Sequence, residues 1–216
     1  FIVLFTLSMP RALYRIYYDY TSKNEQRQLI GTVLISVLVL ALVSVAIIFL
    51  MHKQVQKIYV SIPFYPYYSY AIAAVFFQSL HIIPSIFLQI KERAATFIKL
   101  SVSLFFVKSL IILLLIVKYG RGARGYLEAE LIAAIIFLPI YYYIIHKEII
   151  LIWKKQMFLN VLKFSLPIIP SILSAWILNL SDRIFIERYF SAADVGIYSL
   201  GYQIAGLVLI FSIAFK

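Results

Sequence analysis

Residues 29–51, LIGTVLISVLVLALVSVAIIFLM, contain no charged side chain and no proline. The hydrocarbon core of a bilayer takes about 20 apolar residues of helix to cross. In lipid every backbone N–H and C=O must be satisfied within the protein, and a helix does this locally. The run is therefore a membrane span. Further apolar stretches at 64–90, 95–117, 126–145, 161–181 and 194–215 repeat the signal, and residues 1–9 read as the tail of another span. The chain opens and closes inside apolar sequence, so both ends read as cuts through helices of a longer protein.

Composition agrees. Hydrophobic residues make up 63% and charged residues 13% of the 216, against roughly 45–50% and 25% in soluble domains. The expected fold class is all-α: a polytopic transmembrane helix bundle. The connections are too short to hold a folded domain outside the membrane. The net charge of +11 does not point to nucleic acid. Its Lys and Arg residues fall in short clusters between the spans, where the positive-inside rule puts them. That bias places 146–160 on the cytoplasmic side and 118–126 outside. Cysteine is absent, which removes thiolate chemistry and Cys metal sites. His52, His81 and His146 have no metal-ligand spacing. Neither a cofactor nor a metal is expected. No nucleophile elbow, phosphate loop or paired-His motif is present, so an enzyme is not expected either.

The polar residues inside the spans are the informative ones. Gln78, His81, Ser85 and Gln89 lie at offsets of 3, 7 and 11 residues from the first. At about 100° per residue they fall within about 80° of one another, a single stripe. Such a stripe faces protein or water rather than lipid. It either forms interhelical hydrogen bonds or lines a water-filled path, in which His81 could couple protons. Lys108 lies mid-span, on the face of Ser101. It either lines a cavity or pairs with an acid on a neighbouring helix, Glu130 or Glu128. In SAWILNLSDRIFIERYF, residues 174–190, Asn179, Asp182 and Arg183 close a long apolar run. These residues either end an interior-facing helix at the outer rim of a cavity or form a structural Asp–Arg pair. Pro167 and Pro170 mark a bend in the same span. Arg11 and Arg15 lie four residues apart and share a helix face.

The segment LKFSLPIIPSILSAWILNLSDRIFIERYFSAADVGIYSLGYQIAGLV resembles the seventh-helix region of bacterial polysaccharide-biosynthesis membrane proteins. These are the Wzx-type oligosaccharide flippases of the MATE-like superfamily. PRALYRIYYDY followed by NEQRQLIGTVL resembles their segment joining helices two and three, and QIKERAATFIKLSVS resembles the start of the helix four to six region. The resemblance covers essentially the whole chain. It implies a two-lobed, V-shaped transporter of which this chain is a part. Residues 1–145 would then close the N-terminal bundle, 146–160 would link the lobes on the cytoplasmic side, and 161–216 would begin the second bundle. The implied function is transfer of undecaprenyl-pyrophosphate-linked oligosaccharide from the cytoplasmic to the outer leaflet of the inner membrane. A glycan polymerase or assembly protein would be a partner, alongside the lipid bilayer. With that substrate, Arg183 and Lys108 are the candidate cavity cations, and Arg11 and Arg15 either receive the head group on the cytoplasmic side or anchor the chain there; Asp182, Asn179, His81 and Gln78, read from the polar faces above, complete the cavity candidates. Two competing functions stay open: a cation-coupled multidrug exporter of the same superfamily, which needs acids inside its spans, and a membrane enzyme such as an O-antigen polymerase.

Overall fold

A computed structural model describes residues 2–58 and 63–214. Ten α-helices account for most of them: α1 (Ile2–Thr6), α2 (Met9–Ile16), α3 (Lys23–Leu50), α4 (His52–Ile58), α5 (Ser69–Ile90), α6 (Ala94–Leu113), α7 (Gly122–Ile145), α8 (Lys155–Ser165), α9 (Ile168–Tyr189) and α10 (Ala192–Ala214). No strand occurs among the described residues. Among the described residues, five segments are long and apolar enough to cross a membrane: Lys23–Leu50, Phe64–Ile90, Ala94–Lys118, Gly122–Glu148 and Ile168–Tyr189. The protein is an all-α polytopic bundle. It divides into two compact units, Phe1–Ile169 and Pro170–Lys216.

In the first unit α5 and α7 form the most extensive helix pair, and α3 and α6 pack on either side of them. Between membrane helices there is no hydrophobic gain over lipid, so close packing has to come from small residues. α7 supplies them: Gly125, Ala129 and Ala133 recur every fourth residue and are buried, with Ala134 beside them. A Cβ on Gly125 would stand 3.0 Å from the Arg121 Cβ and 3.1 Å from the Leu115 Cβ. Leu29, Ile30, Val33 and Val37 of α3 meet Ile83 and Phe87 of α5, Met9 and Leu13 of α2 and Val161 of α8 in one buried cluster. α6 buries only Leu100, while Phe105, Phe106 and Leu110 are exposed. An apolar face of that extent suits lipid or a further apolar protein segment.

Three expectations are corrected. The stretch 1–9 is not a straight span tail: the chain turns at Leu7 and Ser8, which take φ of 44° and 57°, before α2 begins. α2 is amphipathic, burying Met9, Ala12, Leu13 and Ile16 while Arg11, Tyr14 and Arg15 are exposed. The expected span 161–181 is two helices, α8 and α9, parted at Leu166 and Pro167. Proline disfavours helix at the residue before it and supplies no N–H for the ladder. Finally, Asp182 and Arg183 do not end a helix, because α9 continues through both of them to Tyr189.

Between α7 and α8 the chain forms one turn, His146–Glu148, and then runs extended to Lys154. This run lies along α3. The Ile150 N–H donates to the Arg27 carbonyl at 3.2 Å. The Thr32 hydroxyl bonds the Ile152 carbonyl at 3.0 Å and accepts the Lys154 N–H at 3.2 Å. The Trp153 indole donates to the Ser36 hydroxyl at 3.0 Å. Short polar side chains on α3 thus satisfy an extended backbone that has no sheet partner.

Candidate functional site

The three helices α5, α6 and α7 bring Gln78, Lys108 and Glu130 together. The Lys108 ammonium lies 2.9 Å from one Glu130 oxygen, and the Gln78 amide donates to the other at 2.9 Å. One turn along α5, the His81 Nε2 lies 2.7 Å from the Ala134 carbonyl. A carbonyl only accepts, so this nitrogen carries the proton. These side chains, with Leu104, Ala133 and Ala134, line a cavity of about 340 Å³. The lining carries one full positive and one full negative charge, so it is neutral overall but dense in donors and acceptors.

The two acids of α7 separate by face. Residues 128 and 130 are two apart, about 200° around the helix. Glu130 faces α5 and α6. Glu128 is buried and takes both Arg121 and Arg124, the latter at 2.8 Å. Arg124 also covers the Tyr70 ring at 5.6 Å. Of the expected stripe, Gln78 and His81 meet α7. Gln89 is exposed, and its amide turns back to the Ser85 carbonyl at 3.4 Å.

Arg11 and Arg15 lie apart from this cavity, on the exposed face of α2, where Arg15 pairs with Asp19 at 2.8 Å. In the second unit, the Tyr198 hydroxyl of α10 donates to Asp182. Arg183 sits over the Tyr202 ring at 5.3 Å. Among the described residues no ion pair joins Asp182 to Arg183. The two charges, about 100° apart on α9, reach Tyr residues one turn apart on α10. The Asn179 side chain lies outside the described residues. No group of three or more His, Cys, Asp or Glu side chains among the described residues is placed to hold a metal ion.

The roles of Tyr198, Tyr202 and Gly31 went unread in the sequence. The first two carry an i, i+4 aromatic signal in a span; Gly31 carries none. Also unread was a set of cations from separate loops, Lys23, Arg27, Lys91, Arg93 and Lys147, which share one cleft.

Apolar spans that enclose a paired charge and a histidine define a membrane protein with a polar interior. A family model described as polysaccharide biosynthesis protein matches residues 20–213, and the chain belongs to that family. No curated protein and no solved structure gave a significant match.

Proposed function

We propose that the protein is a transporter, not an enzyme. It moves an undecaprenyl-pyrophosphate-linked oligosaccharide from the cytoplasmic to the outer leaflet of the inner membrane, as part of a MATE-like, two-lobed protein. The observation that carries this reading is the Lys108–Glu130–Gln78 cluster beside His81, inside the spans of a polysaccharide biosynthesis protein. Sugar hydroxyls both donate and accept, and a neutral lining rich in both kinds of group suits them. A multidrug exporter needs a free intramembrane carboxylate for a cationic drug or coupling ion. Glu130 is such an acid by position, but Lys108 neutralises it. Arg11 and Arg15 receive the pyrophosphate on the cytoplasmic side, and a polymerase or assembly protein takes the product. Loss of the gene is expected to leave lipid-linked oligosaccharide on the cytoplasmic leaflet with drug susceptibility unchanged. Normal surface polysaccharide in the deletion strain, with raised drug susceptibility, would support the exporter instead.

In the same reading Arg183 supplies positive potential to the translocation path, with Asp182 and Asn179 orienting it. Its guanidinium, held over Tyr202, is suited to phosphate oxygens by its planar fork. Arg183→Ala in the full-length protein is expected to reduce surface polysaccharide strongly at normal membrane abundance, and Arg183→Lys to reduce it partly. Wild-type polysaccharide from Arg183→Ala at that abundance would leave Arg183 as a packing residue.

A further inference from the structure

The strongest unassigned feature is a cleft of about 440 Å³ at the end of the first unit where α3 begins and α5 and α7 finish. Its walls come from three stretches far apart in sequence: Tyr17 to Arg27, Lys91 with Arg93, and Lys147 with Glu148. Five cations face a single carboxylate there. That carboxylate, Glu148, is 3.5 Å from Arg93. The neighbouring acids Glu25 and Glu92 are exposed and do not line the cleft.

Of the five, only Arg93 pairs with an acid among the described residues, and Lys91 and Arg27 are placed by the fold. Lys91 lies over the Tyr17 ring at 5.1 Å and the Phe87 ring at 6.0 Å. An aromatic face attracts an ammonium without using its N–H donors in ordinary hydrogen bonds. The Arg27 Nε is buried and has no hydrogen-bond partner in the protein. Tyr17 is fixed in turn, its hydroxyl donating to Gln26 at 2.8 Å while the Gln26 amide donates to the Tyr20 carbonyl. Between Lys91 and Arg93 the chain turns through Glu92 at φ 53°, a left-handed conformation that costs a non-glycine residue energy. Like charges gathered this closely repel one another. A multivalent anion converts that repulsion into attraction, and a buried unpartnered guanidinium N–H lacks only an acceptor.

We propose that this cleft binds a phosphate-bearing anion of two or more negative charges. Phosphate oxygens match the Arg fork, and one group can bridge several ammonium donors. The cleft opens at the end of the spans, where the phosphates of lipid head groups lie, so the anion is either a phosphomonoester lipid head group or a free diphosphate. The site contains neither Arg11 nor Arg15, and its existence does not depend on what the protein transports.

The test uses the full-length protein in nanodiscs with the substitution Asn24→Cys in the cleft wall, alkylated by a water-soluble reagent. In discs containing a phosphomonoester lipid, or in neutral discs with added inorganic pyrophosphate, labelling is expected to slow at least about tenfold relative to neutral discs alone. The arm that protects identifies the source. Arg27→Gln with Lys91→Gln is expected to abolish protection, whereas Lys155→Gln with Lys163→Gln, an equal loss of charge outside the cleft, preserves it. Unchanged thermal melting of both double variants keeps folding out of the comparison. No protection in either arm, or equal loss in both double variants, overturns the proposal.

Discussion

Gly31→Ala is expected to lift the extended run Ile149–Lys154 off α3. A Cβ at position 31 would lie 1.8 Å from the Ile150 carbonyl oxygen and 2.8 Å from its carbon. Both are backbone atoms, so no side-chain rotation relieves the overlap. Separating the two segments breaks the Arg27–Ile150 bond, both Thr32 bonds and the Trp153–Ser36 bond. Each is worth about 0.5–1.5 kcal/mol net, so the expected loss of stability for the four is about 2–6 kcal/mol. The readout is direct. In a Trp176→Phe background Trp153 is the remaining tryptophan, and its emission should shift to the red as the detergent-solubilised protein loses melting temperature. Unchanged emission and melting would show that α3 and the run part without cost. Gly31→Ala also tests whether this docked run matters for the proposed transport, because α8 follows it directly.

Lys108→Met is expected to destabilise the first unit by about 3 kcal/mol, and adding Glu130→Gln is expected to restore most of that loss. Removing one partner of a buried ion pair costs about 3–5 kcal/mol because the other charge stays desolvated. The Lys108 side chain is 31% exposed and that of Glu130 16%, which puts the cost at the low end. In the double variant the carbonyl of the new amide can still accept from Gln78, and no charge is left alone. A double variant no more stable than Lys108→Met would mean that the two side chains are not coupled. Surface polysaccharide separates packing from function. If the proposed transport uses the cavity, the double variant folds yet yields little surface polysaccharide, since a strong donor and a strong acceptor are gone. Wild-type surface polysaccharide from the double variant would assign the pair to packing alone.

The stripe on α5 shows how far periodicity reaches. The 100° step put Gln78 and His81 on the face that meets α7, but it could not show that Gln89, on the same face, would be exposed beyond the contact. Asp182 and Arg183 show its limit differently. Charge after a long apolar run reads as a helix end, yet α9 continues through both residues to Tyr189, and Tyr198 and Tyr202 of α10 receive their side chains. The apolar stretch 161–181 covers the end of α8 and the start of α9 as one run, and the bend marked by Pro167 is where the two helices part.

The sequence by itself determined where apolar helices lie, because a helix in lipid satisfies its own backbone and its position is a local property. It also marked Lys108, His81, Gln78 and Arg183 as residues needing partners, since the cost of burying a polar group in lipid belongs to the residue type. The tertiary structure decided which partners they have. Glu128 and Glu130 are equivalent acids in the sequence, and only the neighbours of each α7 face assign one to two arginines and the other to Lys108. Gly31 is an ordinary glycine until Ile150, more than a hundred residues later, passes against it. The cationic cleft likewise exists only once three distant loops meet at one end of the bundle, because electrostatic crowding depends on distance in space, which no spacing along the chain encodes.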